Sequence, residues 1–314
     1  MKAVLSTHVN SDGDGCGSEV ALALLLRQMK IAATIVNPTP WPSMFTFLLG
    51  DVKDASSDGA KAMRGKDVLV VLDISDVGRL GQLAESVRQL TVPRLVIDHH
   101  VAHDEPAGDV TFSDTKAAAT GELVFDFAQV MNLEITPAIA CALYVALLTD
   151  TGGFRFSNTS PRCHAVAARL LAAGVNPEEM YRRVYASVPE GRVHLLRDAL
   201  SSLEVDAEHG ISVLSLPAGA LEKHGVSSED LDGIVEHARS IAGTRLALFF
   251  RDLGHGKVKV SFRSTSDVDV NEFARQFGGG GHKRAAGALI PGSLDDVRTT
   301  VMRAARKWVG VRPD

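Results

Sequence analysis

The chain has 314 residues, 45% of them hydrophobic, and a formal net charge of −5. That length exceeds the ~250–300 residues one core serves, so two domains are expected; the acidic balance argues against sequence-blind binding of long duplex nucleic acid, which relies on basic surface. Three scattered cysteines (Cys16, Cys141, Cys163) form no disulfide framework and no signal-peptide pattern opens the chain, nor is there an apolar run of the ~18–20 residues a membrane span needs, so a cytoplasmic protein without membrane contact is expected.

In chain order, residues 3–7 read as a strand, 18–30 as a helix with apolar Val20, Leu22, Leu24, Leu25 and Met29, and 31–36 as a second strand. Residues 67–72 (DVLVVL) and 94–97 (RLVI) are continuously apolar strands, as expected when helices cover both faces of a sheet. Residues 117–131, 137–149 and 161–173 read as helices, the second apolar enough to be buried. Alternating strands and helices predict an α/β fold with a mostly parallel N-terminal sheet flanked by helices. A charged helical stretch from about residue 181 to 203 reads as the link to a smaller mixed α/β domain. There, residues 211–216, 246–251 and 258–263 read as strands, the last two joined by a glycine-rich hairpin turn at 252–257. Residues 228–241 and 293–309 read as helices, with Ser293 as N-cap of the second. The expected boundaries are 1–186, a helical linker 187–204, and 205–314.

Chemistry concentrates where strands should end, the edge at which open α/β sheets bind ligands. HVNSDGDGCGS (8–18) offers His8, Asp12 and Asp14, VVLDIS (70–75) offers Asp73, VIDHH (96–100) offers Asp98, His99 and His100, and LLTDTGGFRF (147–156) offers Asp150 and Arg155. Glycines around Asp12 and Asp14 predict a tight loop from which the two acids reach different ions. An EF-hand fits poorly, since no Glu stands at the twelfth loop position. Adjacent His99 and His100 must project differently, so one can ligate a metal while the other faces substrate, and Asp98 can orient one of them. Asp150 closes a helix whose dipole disfavours a lone carboxylate there. Four converging acids repel more than two imidazoles can offset, and a pair of divalent metals is the economical solution. Arg155 is a candidate phosphate contact. Further on, FGGGGHKRAAG (277–287) offers Gly279, Gly280, Gly281 and His282 as an anion-binding nest, and Arg263, ending VSF, is another candidate phosphate ligand.

These motifs resemble, in order and residue type, the four motifs of the DHH phosphoesterase superfamily, and FGGGGHKRAAG resembles the signature of the C-terminal DHHA1 domain. The likeness covers nearly the whole chain and is nearest the compact nanoRNase/pAp-phosphatase group, less so the larger RecJ exonucleases or family II inorganic pyrophosphatase. It implies a catalytic DHH domain followed by a substrate-binding DHHA1 domain, with the active site in the cleft between them. It further implies that His8 and Asp12 hold one Mn²⁺, that Asp14, His99 and Asp150 hold the other, and that Asp73 bridges both; Mg²⁺ or Co²⁺ could substitute. His100 would contact the scissile phosphate, assisted by Asp98 and Asp73, while Arg263, His282 and Gly279–Gly281 would grip the substrate's far end. The implied activity is hydrolysis of short oligoribonucleotides to 5′-mononucleotides and of pAp to AMP, by an enzyme that pairs as a homodimer. A phosphodiesterase for cyclic or linear di-adenylate, or a metal-loaded nucleotide sensor without turnover, are the alternatives.

Overall fold

A computed structural model of the protein describes residues 1–231, 233–265 and 268–310. The chain divides into two compact units, Met1–Ser187 and Val188–Asp314. Among the described residues, the first unit holds a five-stranded sheet of β1 (Lys2–Ser6), β2 (Ala32–Ile35), β3 (Val68–Leu72), β4 (Arg94–Asp98) and β5 (Val110–Ser113), in the order β2-β1-β3-β4-β5. Every pairing is parallel, as expected. The unbroken apolar run of β3 has its reason in the two layers around it. Val70 and Leu72 face one core with Leu5, while Leu69 and Val71 face the other with Val4. A strand buried on both sides has no polar side to alternate.

Seven helices accompany this sheet among the described residues: α1 (Gly13–Gln28), α2 (Thr46–Leu49), α3 (Ala84–Arg88), α4 (Thr120–Val130), α5 (Pro137–Asp150), α6 (Pro161–Ala172) and α7 (Pro177–Tyr185). The larger core joins Leu25 of α1, Val124 of α4, Leu143 of α5 and Val166 of α6; the smaller takes Ala84 and Val87 of α3. Burying each such Leu or Val contributes roughly 1.5–3 kcal/mol. Helices α1 and α5 approach very closely: a Cβ on Gly17 would lie 2.3 Å from the Ala142 carbonyl oxygen. From β1 the chain moves to β2 on one side, and β3 then returns to the other side of β1. Loops leaving the carboxyl ends of β1 and β3 therefore part, opening a crevice at a topological switch point.

The second unit contains α8 (Glu190–Ser201), β6 (Glu204–Asp206), β7 (Ile211–Leu216), α9 (Ala220–His224), α10 (Ile234–Arg239), β8 (Leu246–Asp252), β9 (Lys257–Ser264), α11 (Val270–Arg275), β10 (Gly280–His282), β11 (Ala285–Pro291) and α12 (Leu294–Val309). Its sheet runs β10-β11-β9-β8-β7-β6, with β7 and β8 parallel and the other pairs antiparallel. Ser293 caps α12 by accepting from the Asp296 amide at 3.2 Å. Three local readings change. Helix α8 is no free linker, because Leu195 and Ala199 share a core with Leu214, Leu216 and Ile234. The helix expected over residues 228–241 is a short 3₁₀ turn (Glu229–Leu231) and then α10, with residue 232 outside the described residues. The glycine run supplies an edge strand, β10, rather than an open loop. No helix among the described residues is long and apolar enough to cross a membrane.

Candidate active site

In the first unit, three neighbouring strands and two helices deliver the acids and imidazoles singled out in the sequence. His8 follows β1, Asp73 follows β3, and His99 and His100 follow β4; Asp98 is the last residue of β4 and Asp150 the last of α5. The segment HVNSDGDGCGS is less of a loop than expected. Asp12 is the N-cap of α1, accepting from the amides of Asp14 (3.0 Å) and Gly15 (3.2 Å), and Asp14 already lies in the first helical turn. Asp73 sits in the left-handed region at φ 63, a conformation costing on the order of 1–3 kcal/mol that is held where function requires it. The bond from the Asp73 amide to the Ile97 carbonyl (2.9 Å) pins that kink to β4.

The six side chains meet. His8 Nε2 lies 3.8 Å from Asp12 Oδ1 and 3.3 Å from Asp73 Oδ2. His99 Nε2 lies 3.6 Å from each of Asp14 Oδ2, Asp73 Oδ1 and Asp150 Oδ2. The two oxygens of Asp73 are thus divided between two clusters, His8–Asp12–Asp73 and Asp14–His99–Asp150, in each of which the candidate ligand atoms lie within 4.8 Å of one another. Both imidazoles present Nε2, because their Nδ1 atoms are engaged with carbonyl oxygens: His8 with Val9 at 2.9 Å and His99 with Ala117 at 3.2 Å. A proton on Nδ1 leaves Nε2 a lone pair.

His99 Nε2 is the test of whether cations fit. It is buried and has no hydrogen-bond partner, yet three carboxylate oxygens face it. Buried acceptors surrounded by acceptors are costly unless a cation sits among them. The electrostatics agree. Burial, then the charges of Asp73, Asp150 and Asp12, pushes Asp14 well above the usual carboxylate range. Asp150 rises to about 6, chiefly through burial and against the influence of His99, with Asp73 and Asp12 adding to the rise. For His8, burial works against charge, but hydrogen bonds to Asp12 and Asp73 overrule it and lift the imidazole to about 10. This site demands positive charge, and carboxylate and imidazole donors suit a hard to borderline divalent ion.

His100 has a different setting. Its Nδ1 lies 2.8 Å from Asp98 Oδ1, and the ring is half-exposed at 42%. Asp98 is fully buried and accepts 2.6 Å from Ser75 Oγ. The Asp98 bond, opposed by burial and aided by Asp73, raises His100 above the ordinary imidazole value. Asp98 therefore orients His100 and leaves His99 to the acid cluster.

Four supporting positions escaped the sequence reading. Thr120 and Gly121 begin α4, and their amides donate to Asp14 Oδ2 at 2.6 Å and Oδ1 at 2.9 Å. The Thr120 hydroxyl donates to Asp73 Oδ1 at 3.0 Å, and Ser18 Oγ to Asp14 Oδ1 at 3.1 Å. A helix N-terminus aimed at a carboxylate favours its charge. Asn158 Nδ2 donates to Asp150 Oδ2 at 3.3 Å, to the Asp150 carbonyl at 3.1 Å and to the Ala118 carbonyl at 3.0 Å. Threonine and glycine after AAA are a signal for a helix start, but nothing in the sequence says what that start points at. Arg155 is exposed, its Nε spent on the Gly152 carbonyl at 2.6 Å.

The remaining candidates lie in the second unit. Register places His282 opposite Ala285, and Ala285 opposite Arg263, in one cross-strand row. Residues of one row share a face, so the Arg263 and His282 side chains flank a single methyl group. Arg263 Nε also meets Glu236 Oε1 at 3.3 Å. The glycine amides are less available than a nest requires: Gly279 donates to the Ala274 carbonyl and Gly281 to Asn271 Oδ1, at 3.0 and 2.9 Å. A Cβ on Gly279 would lie 2.2 Å from the Gly287 carbonyl oxygen, so close strand packing demands glycine there.

Comparison with known proteins adds the following. Residues 2–147 match the DHH family, N-terminal domain, and residues 210–310 match the DHHA1 domain. A bifunctional oligoribonuclease and PAP phosphatase NrnA of Thermus thermophilus is 32% identical over 305 residues, covering 96% of this chain and 89% of its own. The protein of the same description from Bacillus subtilis is 27% identical, covering 91% and 88%. Among solved structures, an exopolyphosphatase-related protein from Bacteroides fragilis superimposes with a TM-score of 0.89 at 26% identity, covering 98% of this chain and 92% of its own.

Proposed function

Because the chain belongs to the DHH phosphoesterase family, with a C-terminal DHHA1 domain, we propose that it is a metal-dependent hydrolase of short oligoribonucleotides that also removes the 3′-phosphate of PAP. The observation that carries this reading is Asp73, whose two oxygens stand 3.3 Å from His8 Nε2 and 3.6 Å from His99 Nε2. In our assignment His8 and Asp12 hold one divalent cation, Asp14, His99 and Asp150 hold a second, and Asp73 serves both. Mn²⁺ is the ion we favour, from the oxygen-rich donor set with one imidazole on each side. The chemistry such a pair supplies is acidification of water and neutralisation of charge at phosphoryl oxygens.

The chain's own residues do the rest. Asp98 accepts the proton on His100 Nδ1, which leaves Nε2 of the half-exposed ring to meet a phosphoryl oxygen. Asp98 raises the His100 pKa and so favours the doubly protonated ring, whose Nε2–H can stabilise charge as it develops. Thr120, Gly121 and Ser18 hold Asp14 and Asp73 in place, so little reorganisation accompanies the reaction. In the second unit we assign Arg263 and His282 to phosphate or nucleotide binding, supported by their shared row. The net charge of −5 offers no broad basic track for a long substrate, which favours a short one.

The test is a parallel assay of the purified chain with Mn²⁺ on pApA, PAP, cyclic di-adenylate and pyrophosphate. Mononucleotide from pApA and AMP from PAP are the expected products. Turnover of pyrophosphate alone would overturn the substrate assignment, and tight binding of all four without turnover would favour a nucleotide sensor.

A further inference from the structure

We infer that Asn158 is the positioning residue that couples Asp150 to the turn orienting Asp14 and His99, and so sets the affinity of that cation subsite more than of the other. The inference rests on the ligand assignment proposed above. Its warrant is the geometry of one amide. Asn158 Nδ2 faces three acceptors: the Asp150 carboxylate, the Asp150 carbonyl and the Ala118 carbonyl. Asn158 Oδ1 is buried without any hydrogen-bond partner. The residue is therefore held there as a donor, at the expense of its own acceptor, which makes the identity of the side chain specific. An aspartate of the same shape would turn an oxygen toward three oxygens. A lysine or arginine would donate too, but its charge would neutralise Asp150 and compete with a cation. A neutral amide orients the carboxylate and leaves its charge available.

What lies on the other side of the amide makes the effect selective. The Ala118 carbonyl belongs to the turn at residues 117–121. From that turn the Ala117 carbonyl meets His99 Nδ1, the Thr120 and Gly121 amides hold Asp14, and the Thr120 hydroxyl holds Asp73. One side chain thus ties the end of α5 to the element that fixes the other ligands of the same subsite. His8 and Asp12 are secured by their own loop instead, through Val9, Asp14 and Gly15.

Full-length Asn158→Asp and Asn158→Ala are compared with the wild type by calorimetric titration of the metal-stripped proteins with Mn²⁺, and by thermal unfolding in chelator. The wild type should show two binding events. In both variants one event should weaken by about 10–100-fold, as for other residues that orient metal ligands, with the other weakened less. The turnover number on pApA should fall and recover at raised Mn²⁺, with KM unaltered. Two unchanged events, two equally weakened events, or lost thermal stability with intact Mn²⁺ affinity would each overturn the inference. If the wild type itself takes up no Mn²⁺, the ligand assignment fails and this inference falls with it; failure in the variants alone leaves the assignment standing.

Discussion

Asp73 joins backbone strain to chemistry at one residue. Asp73→Ala should lower turnover by on the order of 10³-fold or more, several kcal/mol of transition-state stabilisation, measured as kcat/KM on pApA. Asp73→Asn is the sharper variant, since asparagine tolerates φ 63. It should lose activity comparably while its urea midpoint stays near that of the wild type, and retained activity in either variant would end the bridging assignment. A second prediction concerns Glu19, fully buried in α1, whose Oε2 accepts from Asn37 Nδ2 at 2.8 Å. Burial raises it to about 8 against the influence of Asn37. Folding then takes up a proton between the unfolded value of 4.5 and about 8. The stability it contributes is present below that window and is lost as pH rises through it, on the order of a few kcal/mol. Glu19→Gln should flatten the decline, so urea unfolding curves that remain parallel for both proteins at pH 5 and 8.5 would refute the assignment. The converging acids and imidazoles were readable because each of their four segments sets one just after an apolar run. Glu19 and Asn158 were not, because their roles depend on partners far along the chain.

Among elements, α1 and β10 show what glycine-rich segments conceal. The first turn of α1, Gly13 to Gly17, and the whole of β10 were read as loop, because glycine lowers helix and strand propensity. In α1 the Asp12 cap and the close crossing with α5 outweigh that cost; in β10 the pairing with β11 does. Gly17→Ala should therefore destabilise the chain by about 1–3 kcal/mol, the usual penalty of overpacking, although alanine is the better helix former. Unfolding in urea measures this, and a more stable variant would show that the crossing can relax. The parallel strands were legible from their continuous hydrophobicity. By contrast, β5 passed unnoticed: all four of its residues are exposed, so no pattern of burial marks it. Helix α8 was read as a helical link because charged residues cover its outer side; Leu195 and Ala199, with partly buried Leu196, pack it into the second unit's core.

For the whole molecule, cation binding and stability should be linked. If Mn²⁺ binds the folded chain alone, a concentration 100 times its dissociation constant adds roughly 2.7 kcal/mol. The melting temperature should climb with Mn²⁺ and drop in chelator, and differential scanning fluorimetry showing neither would exclude the metal assignment. The division into two units was foreseeable from length and from the change in element pattern near residue 200. The expected first domain, residues 1–186, ends one residue short of the first compact unit, Met1–Ser187, whereas the stretch read as a linker falls, beyond Ser187, within the second unit.

The left-handed turn at position 73 also bears on how such a chain can change over generations. Asparagine is among the few side chains that this backbone accepts readily, and one base change converts an aspartate codon into an asparagine codon. Descendants could therefore shed catalysis while keeping their architecture and their hold on nucleotides, so a silent, ligand-reading relative lies a single mutational step away.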